Sequence, residues 1–354
     1  MANTKKIILV IGATGAQGLP VIDALLEPAA DGTPSPYAVR ALTRNKTGAR
    51  AVQLAEKGVE LVEGSFDDFA KVEAAFQGVY GAFVNTDGST VTEEREVFIG
   101  MRIYEIAQKI PSLRHYVWSS LDYVLRLGNW DDKYQCHYNN KARVSEYIRA
   151  DPRKDGVTWS MLSTGPYMEM LNFPIFGPLN KREDGTYVFA TPAGQGHIPM
   201  ISLKDVGFWA RYIFDNIETT ARKELEVASD VVDWEYLVST FKAFTGKKAV
   251  ALYQTGEEWM NNFVNTERPL AAERTQVSND ARSWKENFIN CWNVWRDDVT
   301  SRDMDTLRKI HPGTRDLLTW MKETNYDGTI GGGLLKGAQD GHGPGLNLEV
   351  IKTL

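Results

Sequence analysis

The chain has 354 residues, 43% of them hydrophobic and 24% charged, and a formal net charge of −6. That is ordinary globular usage at a length suited to a large α/β domain plus a smaller one, and it excludes collagen-like, disulfide-scaffold and largely disordered chains. The acidic balance argues against a primary nucleic-acid binder, which needs Lys and Arg to neutralise phosphates, and leaves a protein partner open.

Met1-Ala2-Asn3-Thr4-Lys5-Lys6 leads into a first apolar run with no signal-peptide core or cleavage site. No apolar stretch nears the ~20 residues of a membrane span. The expectation is a cytoplasmic protein, a nuclear location leaving the same traces, with no membrane and no nucleic acid among its partners. Cys136 and Cys291 lack zinc-type spacing and are too few for a disulfide framework, so two unpaired thiols and no metal are expected.

In chain order, Ile7–Ile11 is a β-branched run ended by glycine, the pattern of a parallel strand buried on both faces. A helix is expected over 16–26, a strand over Tyr37–Thr43, a helix over 49–57 and a strand over 59–63. The alternation continues with a helix at Phe69–Phe76, a strand at 81–85, a helix at 93–109 and a strand at 115–119. A helix at 137–150 and a strand at 158–163 complete it. Such units imply right-handed βαβ crossovers and a doubly wound parallel sheet.

After Gly165 the character changes, with Pro166, Pro174, Pro178, Pro192 and Pro199 cutting the chain into shorter pieces. We expect an α/β Rossmann domain over 1–164, to which segments near 198–230 return, a smaller α+β substrate or partner domain over 165–327, and a glycine-rich tail over 328–354. Eight of the ten tryptophans lie from Trp159 onward, so this half carries the aromatic surface for either a core or an apolar pocket. The tail is expected to be flexible unless its own domain or a partner holds it.

Gly12-Ala13-Thr14-Gly15-Ala16-Gln17-Gly18 has the spacing G-x-x-G-x-x-G between a buried strand and a helix. Gly12 permits the tight turn, Gly15 removes a Cβ where a pyrophosphate approaches, and Gly18 lets the helix pack on the strand. Phosphate charge would then meet the free N–H groups of the helix N-terminus. Strand two ends Leu42-Thr43-Arg44-Asn45-Lys46, without the acid that accepts from a ribose 2′-hydroxyl. Arg44 can grip a 2′-phosphate in a bidentate pair and Lys46 adds a point charge, so the expected cofactor is NADP(H).

With those residues in place, the chain resembles the NmrA-like branch of the atypical short-chain dehydrogenase/reductases, most closely its HSCARG-type redox-sensor subfamily. The likeness spans about 5–325. It rests on Gly12–Gly18, Thr43-Arg44-Asn45, Phe83-Val84-Asn85-Thr86, His137-Tyr138-Asn139-Asn140-Lys141, Gly165-Pro166-Tyr167-Met168-Glu169-Met170-Leu171 and Ser202-Leu203-Lys204-Asp205-Val206-Gly207. It implies NADP lying across the carboxyl ends of the strands. Gly12, Thr14, Gly15, Ala16, Gln17, Gly18, Arg44, Lys46, Asn85, Thr86, Ser119, Lys141, Tyr167, Met168 and Glu169 would contact it. Asp87, Ser120, Tyr138, Tyr167, Met170 and Phe173 would face a substrate. The insertion 128–132 and the tail lie outside the resemblance.

The wider superfamily places Tyr-x-x-x-Lys on one helix, the lysine lowering the tyrosine pKa for proton transfer. Lys141 keeps the lysine place, but His137 stands four residues before it. That spacing puts both on one helical face, so His137 and Lys141 are the candidate catalytic pair. Tyr138 is one position out of register, Tyr134 lies nearly two turns away, and Leu121 and Asp122 compete with Ser119 and Ser120 for the carbonyl-polarising place. Tyr167, Met168, Met170, Phe173 and Phe176 form an apolar segment suited to an aromatic substrate. Two readings follow: an NADPH-dependent reductase of a small apolar or aromatic carbonyl, enone or imine, with secondary metabolism as the expected setting, or a non-catalytic NADP(H) sensor that binds a protein partner.

Overall fold

The computed structural model describes residues 5–88, 90–153, 156–271, 282–331 and 345–354. In chain order the elements are β1 (Lys6–Ile11), α1 (Gly18–Leu26), β2 (Tyr37–Thr43), α2 (Ala49–Glu56), β3 (Glu60–Glu63), α3 (Phe69–Phe76), β4 (Gly81–Val84), α4 (Glu93–Ala107), β5 (His115–Leu121), α5 (Val124–Leu127), α6 (Tyr138–Arg149) and β6 (Thr158–Thr164). They continue with β7 (Asn180–Lys181), β8 (Tyr187–Thr191), β9 (Ile198–Met200), α7 (Leu203–Asp215), α8 (Ile217–Thr220), β10 (Glu224–Glu226), β11 (Asp230–Val232) and α9 (Trp234–Thr245). The last are β12 (Ala249–Tyr253), α10 (Gly256–Met260), α11 (Trp284–Arg296), α12 (Met304–Ile310), α13 (Leu317–Thr324) and α14 (Leu348–Ile351). No helix among the described residues is long and apolar enough to cross a membrane.

Two compact units emerge. The first holds Met1–Leu121, Asn140–Ser163 and Val206–Glu226. Its parallel sheet has seven strands in the order β10-β6-β5-β4-β1-β2-β3. The order reverses beside β1, where β2 pairs on one side and β4 on the other. In open α/β sheets ligands bind at this point, outside the carboxyl ends of the strands. Ile8, Leu9, Val10 and Ile11 are all buried, as a strand covered on both faces requires. Leu9 and Ile11 join Phe76, Tyr104, Trp118 and Met161 in one core.

The second unit holds Asp122–Asn139, Thr164–Asp205 and Val227–Leu354. It contains an antiparallel pair, β11 with β9, and a three-stranded sheet in the order β12-β8-β7. Its tryptophans pack on one another: Trp292 lies 5.0 Å from Trp295 and 5.3 Å from Trp259, and Phe176 lies 5.2 Å from Trp292, between ring centroids. Trp234, Trp259 and Trp292 are fully buried, so these three rings are core rather than pocket wall.

Residues 332–344 of the tail expected over 328–354 lie outside the described residues. The end that is described is held by its own unit. Gly345 accepts a backbone hydrogen bond from Val264 at 2.8 Å, and Asn347 donates to Asn262 O at 2.8 Å.

Candidate functional site

The glycine loop closes β1 onto α1. Gly12 has φ +82°, a conformation that L side chains rarely adopt, and a Cβ there would stand 2.7 Å from the Asn85 carbonyl oxygen. Gly15 donates its N–H to Gly12 O at 2.9 Å, and a Cβ at Gly18 would collide with the Gly12–Ala13 backbone. This turn is why α1 starts at Gly18 rather than at Ala16. A Cβ at Gly15 would approach only Gly12 O, at 3.1 Å, which leaves its other side open. Thr14 and Ala16 are partly exposed. No acidic residue stands in the first turn of α1, so its N-terminal amides face no competing carboxylate there.

Gln17 turns inward, and its Oε1 accepts from Ser119 Oγ at 2.6 Å; both side chains are buried. Ser119 therefore ties β5 to the glycine loop. Ser120 shares a 2.7 Å hydrogen bond with Ser145 of α6. Arg44 and Lys46 are exposed just beyond β2. Arg50 of α2, which gave no sequence signal, donates to Thr14 O at 2.9 Å and thereby brings a cation to the loop.

Beyond β4, Asn85 and Thr86 receive Lys141. Its Nζ donates to Asn85 Oδ1 at 3.0 Å, to Thr86 O at 2.8 Å and to Thr86 Oγ1 at 3.0 Å. Glu96, on α4 and 1% exposed, places Oε1 3.4 Å from the same ammonium. Thr86 Oγ1 donates to Glu96 Oε1 at 2.7 Å, and Asn140 Nδ2 to Oε2 at 3.3 Å. Lys141 is thus the cation of a buried network that fixes the 85–86 segment. Glu96 gave no sequence signal, since on an amphipathic helix a glutamate reads as solvated. Asp87 is exposed, and its carbonyl accepts from Thr90 at 3.1 Å.

His137 and Lys141 do not share one set of partners. α6 begins at Tyr138, so His137 precedes the helix instead of presenting a face of it. In the second unit, Asn287 Oδ1 accepts the His137 backbone N–H at 2.8 Å and Asn287 Nδ2 lies 3.0 Å from Nδ1. Tyr138 is buried beside His137 and Trp295, which pushes its phenol pKa far up. Tyr134 Oη donates to Asp297 at 2.9 Å. Asp122 is taken by a bidentate pair with Arg302 at 3.0 and 2.8 Å, both side chains being buried.

The 165–176 segment runs beside the start of α7. Met168 N donates to Ile201 O at 3.0 Å, next to a parallel bridge between Tyr167 and Ile201. Met168 and Phe176 are buried, while Tyr167, Met170 and Phe173 are partly exposed. The Glu169 carboxyl accepts from Leu203 N at 3.1 Å and from Trp320 Nε1 at 3.2 Å. Desolvation outweighs these bonds and pushes its pKa up to about 7. Asp205, fully buried, accepts from Ser229, His311 and Arg315, which explains the acid in Ser202–Gly207 as a structural anchor.

A profile described as the NmrA-like family matches residues 4–294. The chain belongs to the NmrA-like family. Among NmrA-like relatives, the oxidoreductase malD of Malbranchea aurantiaca is 28% identical over 268 residues, 70% of this chain and 76% of that protein. NmrA, a negative transcriptional regulator solved with NADP, superposes with a TM-score of 0.69 at 20% identity, covering 90% of this chain and 95% of NmrA. The triphenylmethane reductase of Citrobacter sp., solved with NADP(H), superposes with a TM-score of 0.68 at 19% identity, covering 89% of this chain and 99% of the reductase. At these identities the two superpositions establish a shared NmrA-like Rossmann fold.

Proposed function

We propose that this NmrA-like protein is an NADPH-dependent oxidoreductase that reduces a small apolar or aromatic carbonyl, enone or imine. The carrying observation is a glycine loop with an open Gly15, a helix N-terminus without acids and Arg50 bonded to Thr14 O, together with the exposed cations Arg44 and Lys46 just beyond β2. A dinucleotide pyrophosphate fits such a cradle, and a 2′-phosphate fits the arginine-bearing end of β2. Residues 12, 14–18, 44 and 46 would hold the adenosine and diphosphate half, with Asn85, Thr86 and Ser119 toward the nicotinamide. NADPH supplies the hydride when bound.

This chain's own groups orient the reactants and manage charge. Lys141 acts through Asn85 and Thr86, holding the segment after β4 and keeping positive charge close to it. His137 is engaged by Asn287, so solvent is the better proton source. Tyr167, Met170 and Phe173 keep partly exposed apolar surface that would suit a substrate. That malD is an oxidoreductase and the Citrobacter protein a triphenylmethane reductase supports redox chemistry here.

The test is a stopped-flow screen of NADPH oxidation against aromatic ketones, enones, quinones and imines. Saturable acceleration by at least one compound is expected. Failure of every compound, with NADPH and NADP+ changing a protein complex differently, would replace this reading with the sensor one that the regulator NmrA suggests.

A further inference from the structure

We propose that Cys136, His137 and Cys291 form a binding site for a thiophilic divalent cation, Zn2+, within the second unit. The two sulfurs and a ring nitrogen lie within 4.8 Å of one another. Cys291 Sγ stands 3.6 Å from His137 Nδ1. Tetrahedral Zn2+ with Zn–S of about 2.3 Å and Zn–N of about 2.0–2.1 Å sets its sulfur and nitrogen ligands about 3.6 Å apart. That edge of the coordination polyhedron is therefore already at its bound length.

The donors are also held in place without a metal. Cys291 lies one turn after Asn287 on the same face of α11, and Asn287 Oδ1 fixes the His137 backbone N–H at 2.8 Å. Arg282 donates to Gln135 O, to which Asn290 Nδ2 also donates at 2.9 Å, and Asn293 Nδ2 donates to Lys133 O at 3.2 Å. From the other side, Asn139 Nδ2 donates to Tyr134 O at 3.0 Å and to Cys136 O at 3.1 Å, while its Oδ1 accepts from Leu125 N at 2.9 Å. The 133–139 segment is thus tied at several points, which cuts the ordering cost of binding.

The ligand set selects the metal class. Two thiolates and an imidazole favour Zn2+ over the hard cations Mg2+ and Ca2+. Binding displaces the two thiol protons and yields a neutral bis-thiolate complex, which suits a site where Cys136 and Cys291 are buried. Asn287 Oδ1 or a water completes the fourth position. Sequence spacing hid the site because Cys136-His137 and Cys291 meet only in the fold.

The experiment takes reduced full-length protein stripped with a chelator and titrates it with Zn2+ against a chromophoric competitor, then with Co2+ anaerobically. One Zn2+ per chain, thiolate-to-cobalt charge-transfer absorption and a raised thermal midpoint with Zn2+ are expected. Cys291→Ser should weaken Zn2+ binding at least tenfold and diminish the cobalt–thiolate band, and His137→Gln should weaken binding while keeping the band. Far-ultraviolet circular dichroism and NADPH binding check that each variant is folded, and Cys136→Ser serves if Cys291→Ser is not. Sub-stoichiometric Zn2+, no cobalt–thiolate band, or a Cys136–Cys291 disulfide in the reduced preparation would overturn the proposal.

Discussion

Lys141 Nζ and Glu96 Oε1 stand 3.4 Å apart with both side chains largely out of water. Removing only the ammonium leaves a buried carboxylate uncompensated, typically worth about 3–5 kcal/mol. Lys141→Met should therefore lose stability of that order, and Lys141→Met with Glu96→Gln should recover at least about half of it. Urea unfolding of the wild type, both single variants and the double variant measures the coupling. Additive effects would show that the pair is not energetically linked. Reaction rates of Lys141 variants are best compared on the double variant, where the fold is closer to native.

Glu169 links pH to stability. Its carboxyl titrates near 7 in the folded chain, above the ordinary 4.5. Folding then takes up a proton between those values, so stability falls as pH rises from about 4.5 to about 7 and is flat above that. The contribution is on the order of 3 kcal/mol. Glu169→Gln keeps an acceptor for Leu203 N and should flatten this part of the profile, making the variant more stable than the wild type at pH 8. Parallel pH profiles for the two proteins would contradict the assignment.

Gly15→Val should block dinucleotide binding and leave the fold intact, because a Cβ at this position approaches only Gly12 O, at 3.1 Å. Thermal shifts with and without NADPH measure this. A variant stabilised by NADPH to the wild-type extent would move the phosphate site elsewhere.

Strands β1, β4, β5 and β6 were legible because most of their residues are buried, whereas β10, with no buried residue, gave no such signal, and two elements, Tyr37–Thr43 and Phe69–Phe76, match their expected bounds. The glycine loop was legible because each glycine answers a local steric demand. The Lys141 network was half legible: the lysine follows from its motif, whereas Glu96 comes from another helix and only tertiary packing marks it as buried. For His137 the helical-spacing argument assumed that the helix had already begun, and the structure starts it one residue later. The Cys136–His137–Cys291 cluster was invisible to spacing rules for the same reason as Glu96, since its parts are distant in sequence.

Calorimetry of NADPH and NADH binding to the wild type and to Arg44→Ala shows whether the end of β2 selects a 2′-phosphate. Arg44 is exposed beyond β2 and positioned by sequence for a 2′-phosphate. NADPH should bind at least tenfold more tightly, a difference of about 1.4 kcal/mol, with Arg44→Ala losing most of that preference while NADH affinity changes little. Equal affinity of the wild type for both cofactors, or no binding of either, would contradict this.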